Sequence, residues 1–496
     1  MGRSRETSRA AAGVPSQGQE QMSREHTTHR WWVLAVVGAA FFMTILDVAI
    51  VTVAIPSIQK DLHIAESTVQ WTLTAYAITF GGFLLLGGRV SDLLGRRIVF
   101  IGGLVLFTAA SLACGLSGSA GMLIAARAVQ GVGAAIISPA ALSIVTTTFT
   151  EGADRNKALG IWGALGGSGA AVGVLLGGIL TKYLGWEWIF FVNVPVGALV
   201  LVLTRPIVPE SRADLGHRRF DVGGAVSVTG GLALLVYAIS KAPDIGWATG
   251  RTIGLLIASV AILAAFVAWE SRVTAPLTPF SVFRIRSLTA ANIVGLMLGA
   301  VIYANFFILT LYVQQILGWS ALRTGLTFLA TAGTAVIWAG VAQALVTKVG
   351  PRPVMTLGLV ILALSVLGYT RLPVHGHYWP DLLPLYLTFS VGMVFGFVPV
   401  TIAAFIGVPE HQAGLASGLM NTTQQIGGAI GVAVAATIFT SKAKSGHGTA
   451  AAFTSGYHWA FAALVAFAIV GAVAAFVMLR GIRAPAPETE PVQVAA

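Results

Sequence analysis

The sequence predicts an all-α polytopic membrane protein with fourteen transmembrane helices, and three observations carry that expectation. The 496 residues are 56% hydrophobic and only 10% charged, with a mean hydropathy of +0.83, more apolar surface than a water-soluble core requires. The apolar residues gather into runs long enough to cross a bilayer. The cations sort by connection: about 21 of the 30 Lys and Arg fall on the side of the N-terminus and about 8 on the other, the bias of the positive-inside rule.

The apolar segments cover approximately 31–55, 68–88, 98–118, 121–146, 158–182, 187–206, 222–240, 252–271, 288–312, 324–347, 354–371, 381–404, 413–440 and 457–479. An even number of crossings places both termini in the cytoplasm, and the net charge of +11 is then topological rather than a nucleic-acid footprint. Residues 1–30 are polar, rich in Ser, Gln, Glu and Arg, and read as a disordered cytoplasmic tail. They are too long a leader for a cleavable signal peptide. Residues 481–496 form a second tail whose Pro485 and Pro487 cannot continue a helix. The single cysteine, Cys114, excludes an intrachain disulfide.

A repeat organises the segments. The connection after the second reads Gly88-Arg89-Val90-Ser91-Asp92-Leu93-Leu94-Gly95-Arg96-Arg97, and eight segments later Lys348-Val349-Gly350-Pro351-Arg352-Pro353 echoes it. That spacing fits two six-helix bundles, 31–206 and 288–480, separated by two inserted helices within 207–287. Transporters are commonly built from such halves, with the substrate between them.

The first segment contains one ionisable side chain, Asp47. A carboxylate at membrane depth costs several kcal/mol unless it is paired, hydrated or protonated. The fourth segment carries Arg127, followed by Gln130-Gly131-Val132-Gly133. At 1.5 Å per residue, Asp47 lies ~12 Å and Arg127 ~9 Å from the same outer surface, so the two can pair. Either that pair switches its protonation or it is a static buried ion pair. In the Gly88–Arg97 stretch, Asp92 sits among Arg89, Arg96 and Arg97 at the cytoplasmic face, suited to latching helices in one conformation and releasing them in another; Gly88 and Gly95 allow tight turns. Gly169, Gly173 and Gly177, with Gly178, give the fifth segment a small-residue face for close helix contact.

These stretches, together with Trp186-Glu187-Trp188-Ile189-Phe190-Phe191-Val192-Asn193-Val194-Pro195 and, in the second half, Leu311–Gln315 and Ala416–Gln425, resemble the major facilitator superfamily. The likeness is to its fourteen-helix drug:proton antiporters, the EmrB/QacA type, and it covers about residues 31–480. It implies export of hydrophobic or amphipathic drugs or secondary metabolites by alternating access, from a bacterial inner membrane. The transporter would act as a monomer, with no cofactor beyond the proton gradient and no enzymatic activity. It carries proton coupling to Asp47 and Arg127, and gating to Asp92 with its neighbours. One departure stands out: the family's G-P-x-x-G-G of the fifth helix is Gly173-Val174-Leu175-Leu176-Gly177-Gly178 here, without the kinking proline. Solute uptake on the same fold, or a non-transporting membrane sensor, therefore stay open as alternatives.

Substrate contacts are expected from polar residues at membrane depth: Gln130, Asn193, Tyr303, Asn305, Asn421, Gln424 and Gln425, with Phe306. The amides in the later segments either line a cavity or tie helices together. Phe306, Phe307, Tyr386, Phe389, Phe395 and Phe397 either form an aromatic wall for planar molecules or serve packing. No Asp or Glu occupies the core of segments nine to fourteen, which disfavours dicationic substrates. His375-Gly376-His377 has only Asp381 nearby and no cysteine, which argues against a metal site. No phosphate-binding loop or nucleophile motif is present, which leaves an ATP-driven pump or a hydrolase without support.

Overall fold

In the computed structural model, residues 17–482 are described, apart from 65, 70, 150–151, 213–220, 274–275 and 446–449. They form fourteen long helices and, among the described residues, no strand. In chain order these are α1 Gln17–Asp61, α2 Trp71–Leu94, α3 Arg96–Gly115, α4 Ala120–Thr148, α5 Ala153–Tyr183, α6 Asn193–Ile207, α7 Val222–Ile245, α8 Gly250–Glu270, α9 Arg286–Leu311, α10 Ala321–Val349, α11 Pro351–Tyr369, α12 Leu383–Ala403, α13 Ala413–Ser445 and α14 Ala450–Met478. Thirteen spans are long and apolar enough to cross a membrane. The remaining crossing is α5, 31 residues long and rich in glycine.

Several helix starts follow from capping side chains that supply acceptors to otherwise orphaned amides. Ser119 opens α4, Asp221 α7, Thr249 α8 and Ser320 α10, each accepting a backbone N–H three residues on. The first helix begins at Gln17, inside the stretch expected to be a disordered tail; Gln, Glu, Met and Arg there are good helix formers and extend the spanning helix backward. Residues 1–16, and the proline stretch at 484–487, lie outside the described residues.

The packing follows the repeat. In the first bundle α1 lies against α5 and α6, while α2, α3 and α4 pack together. In the second, α9 lies against α13 and α14, and α11 against α12 and α14. Two seams join the bundles, α2 with α13 and α5 with α10, and they are counterparts under the six-helix repeat. Both rely on small residues, which let backbones approach. A Cβ at Gly169 would press on Ile45, one at Gly173 on Ala49 and one at Gly177 on Ile50, so these glycines seat α5 on α1. Gly178 faces Leu322 across the α5–α10 seam. The inserted α7 lies on α2 and α13, with α8 packed on its far side.

Candidate functional site

Asp47 and Arg127 meet inside the first bundle. Arg127 Nη1 lies 2.6 Å from Asp47 Oδ2, and both residues are 0% exposed. Four helices of one bundle complete the arrangement. Gln130 Nε2, one turn along α4 from Arg127, donates to Asp47 Oδ1 at 2.8 Å and to Ser111 Oγ of α3 at 2.6 Å. Asn193 Nδ2, at the start of α6, donates to the same Asp47 oxygen at 3.0 Å. The carboxylate thus accepts from a guanidinium and two amides, which compensates its burial.

Arg127 is held independently of Asp47 as well. Its Nε donates to the Thr72 carbonyl at 3.0 Å and its Nη1 to Gln130 Oε1 at 2.6 Å. The Tyr76 ring lies 4.2 Å from the guanidinium carbon and the Phe190 ring 5.7 Å, both within cation–π range. Apart from Asp47, the cation thus has two oxygen acceptors and two aromatic faces. Thr72, Tyr76, Ser111 and Phe190 were not legible as site residues. A backbone carbonyl, a ring face and a lone serine carry no signature until α2, α3 and the turn at residues 188–191 are brought to Arg127 and Gln130 of α4.

The second charged cluster sits at the end of the α2–α13 seam where α13 begins. Asp92 Oδ1 accepts from the Gly414 backbone N–H at 3.1 Å and Oδ2 from that of Leu415 at 3.0 Å, capping the first turn of α13, where the helix dipole favours a negative charge. Arg96 Nη2 bridges Asp92 Oδ1 at 3.2 Å and the Glu410 carbonyl at 2.6 Å. Gly88 is required by the same contact, because a Cβ there would collide with the Gly414 carbonyl. Gly95 links α2 to α3 at φ +112, a conformation open to glycine and strained for other residues. Arg97 turns away to Glu210, its Nε 3.7 Å from Oε2. At this end the two bundles are therefore latched together, and Ser138 of α4 adds a 3.1 Å hydrogen bond to Asn421 Oδ1 of α13.

The residues singled out for substrate contact separate into groups. Gln130 and Asn193 are engaged with Asp47 and Ser111 and are at most 1% exposed. Asn305 and Gln424 are buried, with Asn305 Oδ1 and Gln424 Nε2 lacking a protein partner. Tyr303, 44% exposed at mid-helix, lies along Gly428 of α13. Phe306, Asn421 and Gln425 are half-buried. The aromatic wall resolves mostly into packing: Tyr386, Phe389 and Phe395 are buried in the second bundle, and Phe397 packs on Gly163 and Gly166 of α5. Phe306 bridges Phe328 and Phe389 edge-on, and Phe307 is 38% exposed. Among the described residues no group of three or more His, Cys, Asp and Glu is placed to hold a metal.

A family model described as the Major Facilitator Superfamily matches residues 37–432, spanning both charged clusters. The chain belongs to the major facilitator superfamily. This facilitator is 38% identical over 471 residues to the puromycin resistance protein of Streptomyces alboniger, covering 93% of each chain. It is 37% identical over 464 residues to a cephamycin export protein of Amycolatopsis lactamdurans, covering 93% of this chain and 94% of the relative. It is also 33% identical over 412 residues to the tetracenomycin C resistance and export protein of Streptomyces glaucescens, covering 83% and 76%. The human organic anion transporter MFSD10 superposes with a TM-score of 0.65 at 16% identity, covering 90% of this chain and 99% of the neighbour. A proton:xylose symporter superposes with a TM-score of 0.61 at the same identity, covering 90% and 95%. These two likenesses concern the fold. The facilitator is thus a multi-pass membrane transporter and not an enzyme.

Proposed function

We propose that this facilitator exports hydrophobic or amphipathic small molecules of the antibiotic class across a bacterial plasma membrane in exchange for protons. The observation that carries the reading is the sealed Asp47–Arg127 pair. A carboxylate so deeply buried is retained at a cost of several kcal/mol, and Arg127 keeps partners that let Asp47 become neutral without stranding a buried cation. The relatives named for drug resistance and export support the substrate class and the outward direction. In the cycle, loss of the Asp92 latch opens the cytoplasmic side to substrate. Closure of that latch and separation at the outer face release the substrate and admit a proton to Asp47. No cofactor takes part, and both termini face the cytoplasm.

Tyr303, Phe306, Asn421 and Gln425, with the unpartnered amide atoms of Asn305 and Gln424, are the substrate contacts of this reading. They supply hydrogen bonds and an aromatic face but no charge. A dicationic ligand would leave at least one charge uncompensated, so neutral, anionic or monocationic amphiphiles are favoured.

Inverted membrane vesicles energised by inward proton pumping should accumulate an exported antibiotic or monocationic dye, and collapse of the pH gradient should release it. Accumulation that survives the collapse would overturn proton exchange. In the same vesicles a bivalent quaternary ammonium compound should compete poorly; Asp47-dependent accumulation of that compound would overturn the charge preference.

A further inference from the structure

The inserted helices α7 and α8 play no part in either charged cluster, yet both of their cytoplasmic connections are gripped by the Gly88–Arg97 stretch. On the incoming side, Arg96 N–H donates to the Ser211 carbonyl at 3.0 Å. Arg97 donates from its backbone N–H to Glu210 Oε1 at 3.2 Å and from Nη1 to the Val208 carbonyl at 3.2 Å. On the outgoing side, Arg89 Nη2 donates to the Pro276 carbonyl at 3.2 Å. The shape of that outgoing connection is set by Glu270, the last residue of α8 and 3% exposed. Its Oε1 accepts the Leu277 N–H and its Oε2 the Thr278 N–H, both at 3.1 Å. A carboxylate holding two successive amides fixes the local backbone, and here it presents the neighbouring Pro276 carbonyl to Arg89.

Within the membrane the same preference holds. On α2, a Cβ at Gly82 would lie 3.0 Å from Ala233 Cβ and 3.2 Å from the Thr229 carbonyl of α7, and one at Gly81 would lie 3.2 Å from Val236. Trp71 and Tyr237 stack at 6.1 Å. Toward the second bundle, the described residues of the inserted pair make one hydrogen bond, Trp247 Nε1 to Thr437 Oγ1 at 2.7 Å near the outer surface.

We infer that α7 and α8 move as part of the first bundle, and that Glu270 is the positioning residue that fixes where the second bundle's chain departs from it. The chain is clamped as far as Thr278, so the pivot falls in the short stretch 279–285 before α9. When the Asp92 latch releases, α13 slides past α7, and the Trp247–Thr437 contact is the one that changes. The inference rests on the bundles rearranging during transport, and its test reads that rearrangement separately from substrate identity.

The test uses the full-length protein in membranes, where the native Cys114 is buried. A disulfide between Gly82→Cys and Ala233→Cys should leave export intact, while a short bifunctional thiol reagent joining Trp247→Cys to Thr437→Cys should arrest it. Glu270→Ala should raise cytoplasmic-side alkylation of Ser417→Cys, at the α13 seam, by about tenfold, the equivalent of one net hydrogen bond, since the freed Leu277 and Thr278 amides recover part of the loss by bonding to water. Glu270→Gln, which keeps an acceptor oxygen, should restore part of the protection. Arrest by the 82–233 disulfide with free movement under the 247–437 link would overturn the assignment. Unchanged Ser417→Cys alkylation in Glu270→Ala would overturn the role of Glu270. Alkylation requires no transported compound, so a wrong substrate reading would show as absent export with normal alkylation changes.

Discussion

Asp47 and Asp92 are both fully buried carboxylates facing an arginine, yet they are held in different ways. Asp47 is held by side chains from α4 and α6, all within the first bundle. Asp92 is held by backbone amides of α13, in the second bundle, with Arg96 reaching the Glu410 carbonyl beside it. A rigid rocking of one bundle against the other would leave every bond of Asp47 intact and would break the two that Asp92 makes to α13. One carboxylate therefore keeps its surroundings when the bundles move, and the other loses them. In the function proposed above, that difference is what assigns proton exchange to Asp47 and gating to Asp92.

The largest effect should come from removing the charge at Asp47. Asp47→Asn leaves Arg127 buried without its counter-ion, a loss of about 3–5 kcal/mol for a broken buried pair. The aromatic and carbonyl partners of Arg127 should offset enough of this for membrane insertion to survive. Proton-driven efflux in inverted vesicles should fall to background with normal amounts of protein, and undiminished efflux would erase the distinction between the two acids.

A middle effect belongs to the latch. Asp92→Asn loses the charge that faces the α13 dipole and Arg96 but keeps one acceptor oxygen, a cost of about 1–3 kcal/mol. Cytoplasmic labelling of a cysteine introduced at Ser417 should rise, and transport should slow without loss of its proton dependence. If proton dependence vanishes while labelling is unchanged, Asp92 shares the role of Asp47.

The smallest effect sharpens the comparison from the Arg127 side. Tyr76→Leu removes an aromatic face worth about 0.5–2 kcal/mol to a cation, whereas Tyr76→Phe keeps it. The leucine variant should slow proton-driven efflux by up to about tenfold at normal amounts of protein, because Arg127 is then a less stabilised cation; the phenylalanine variant should hold the original rate. Equal slowing in both variants would assign Tyr76 to packing.

Asp47 and Arg127 were legible as a pair because charge at membrane depth is costly enough to stand out in a single sequence, and helix rise alone placed both at one depth. Their surroundings were not. Gln130 and Asn193 carry the same polar signature whether they face a substrate or a carboxylate, and only the packing of α4 and α6 against α1 turns them toward Asp47. Asp92 stood out from the arginines and glycines around it, but the donors its carboxylate accepts from are main-chain amides more than 300 residues away, and a main-chain amide has no sequence signature. The aromatic residues of α12 were open to two readings, and burial decided for packing.

By itself the sequence determined the spans and the repeat. It also determined the two places where charge enters the membrane or its edge, because hydrophobic transfer and charge desolvation are local costs that each residue carries wherever the chain folds. The tertiary structure alone decided which side chains surround Asp47, which backbone Asp92 caps and which bundle holds the inserted helices. Hydrogen bonds act over about 3 Å, so their partners exist only once distant helices have been brought to the same depth and turned to the same face.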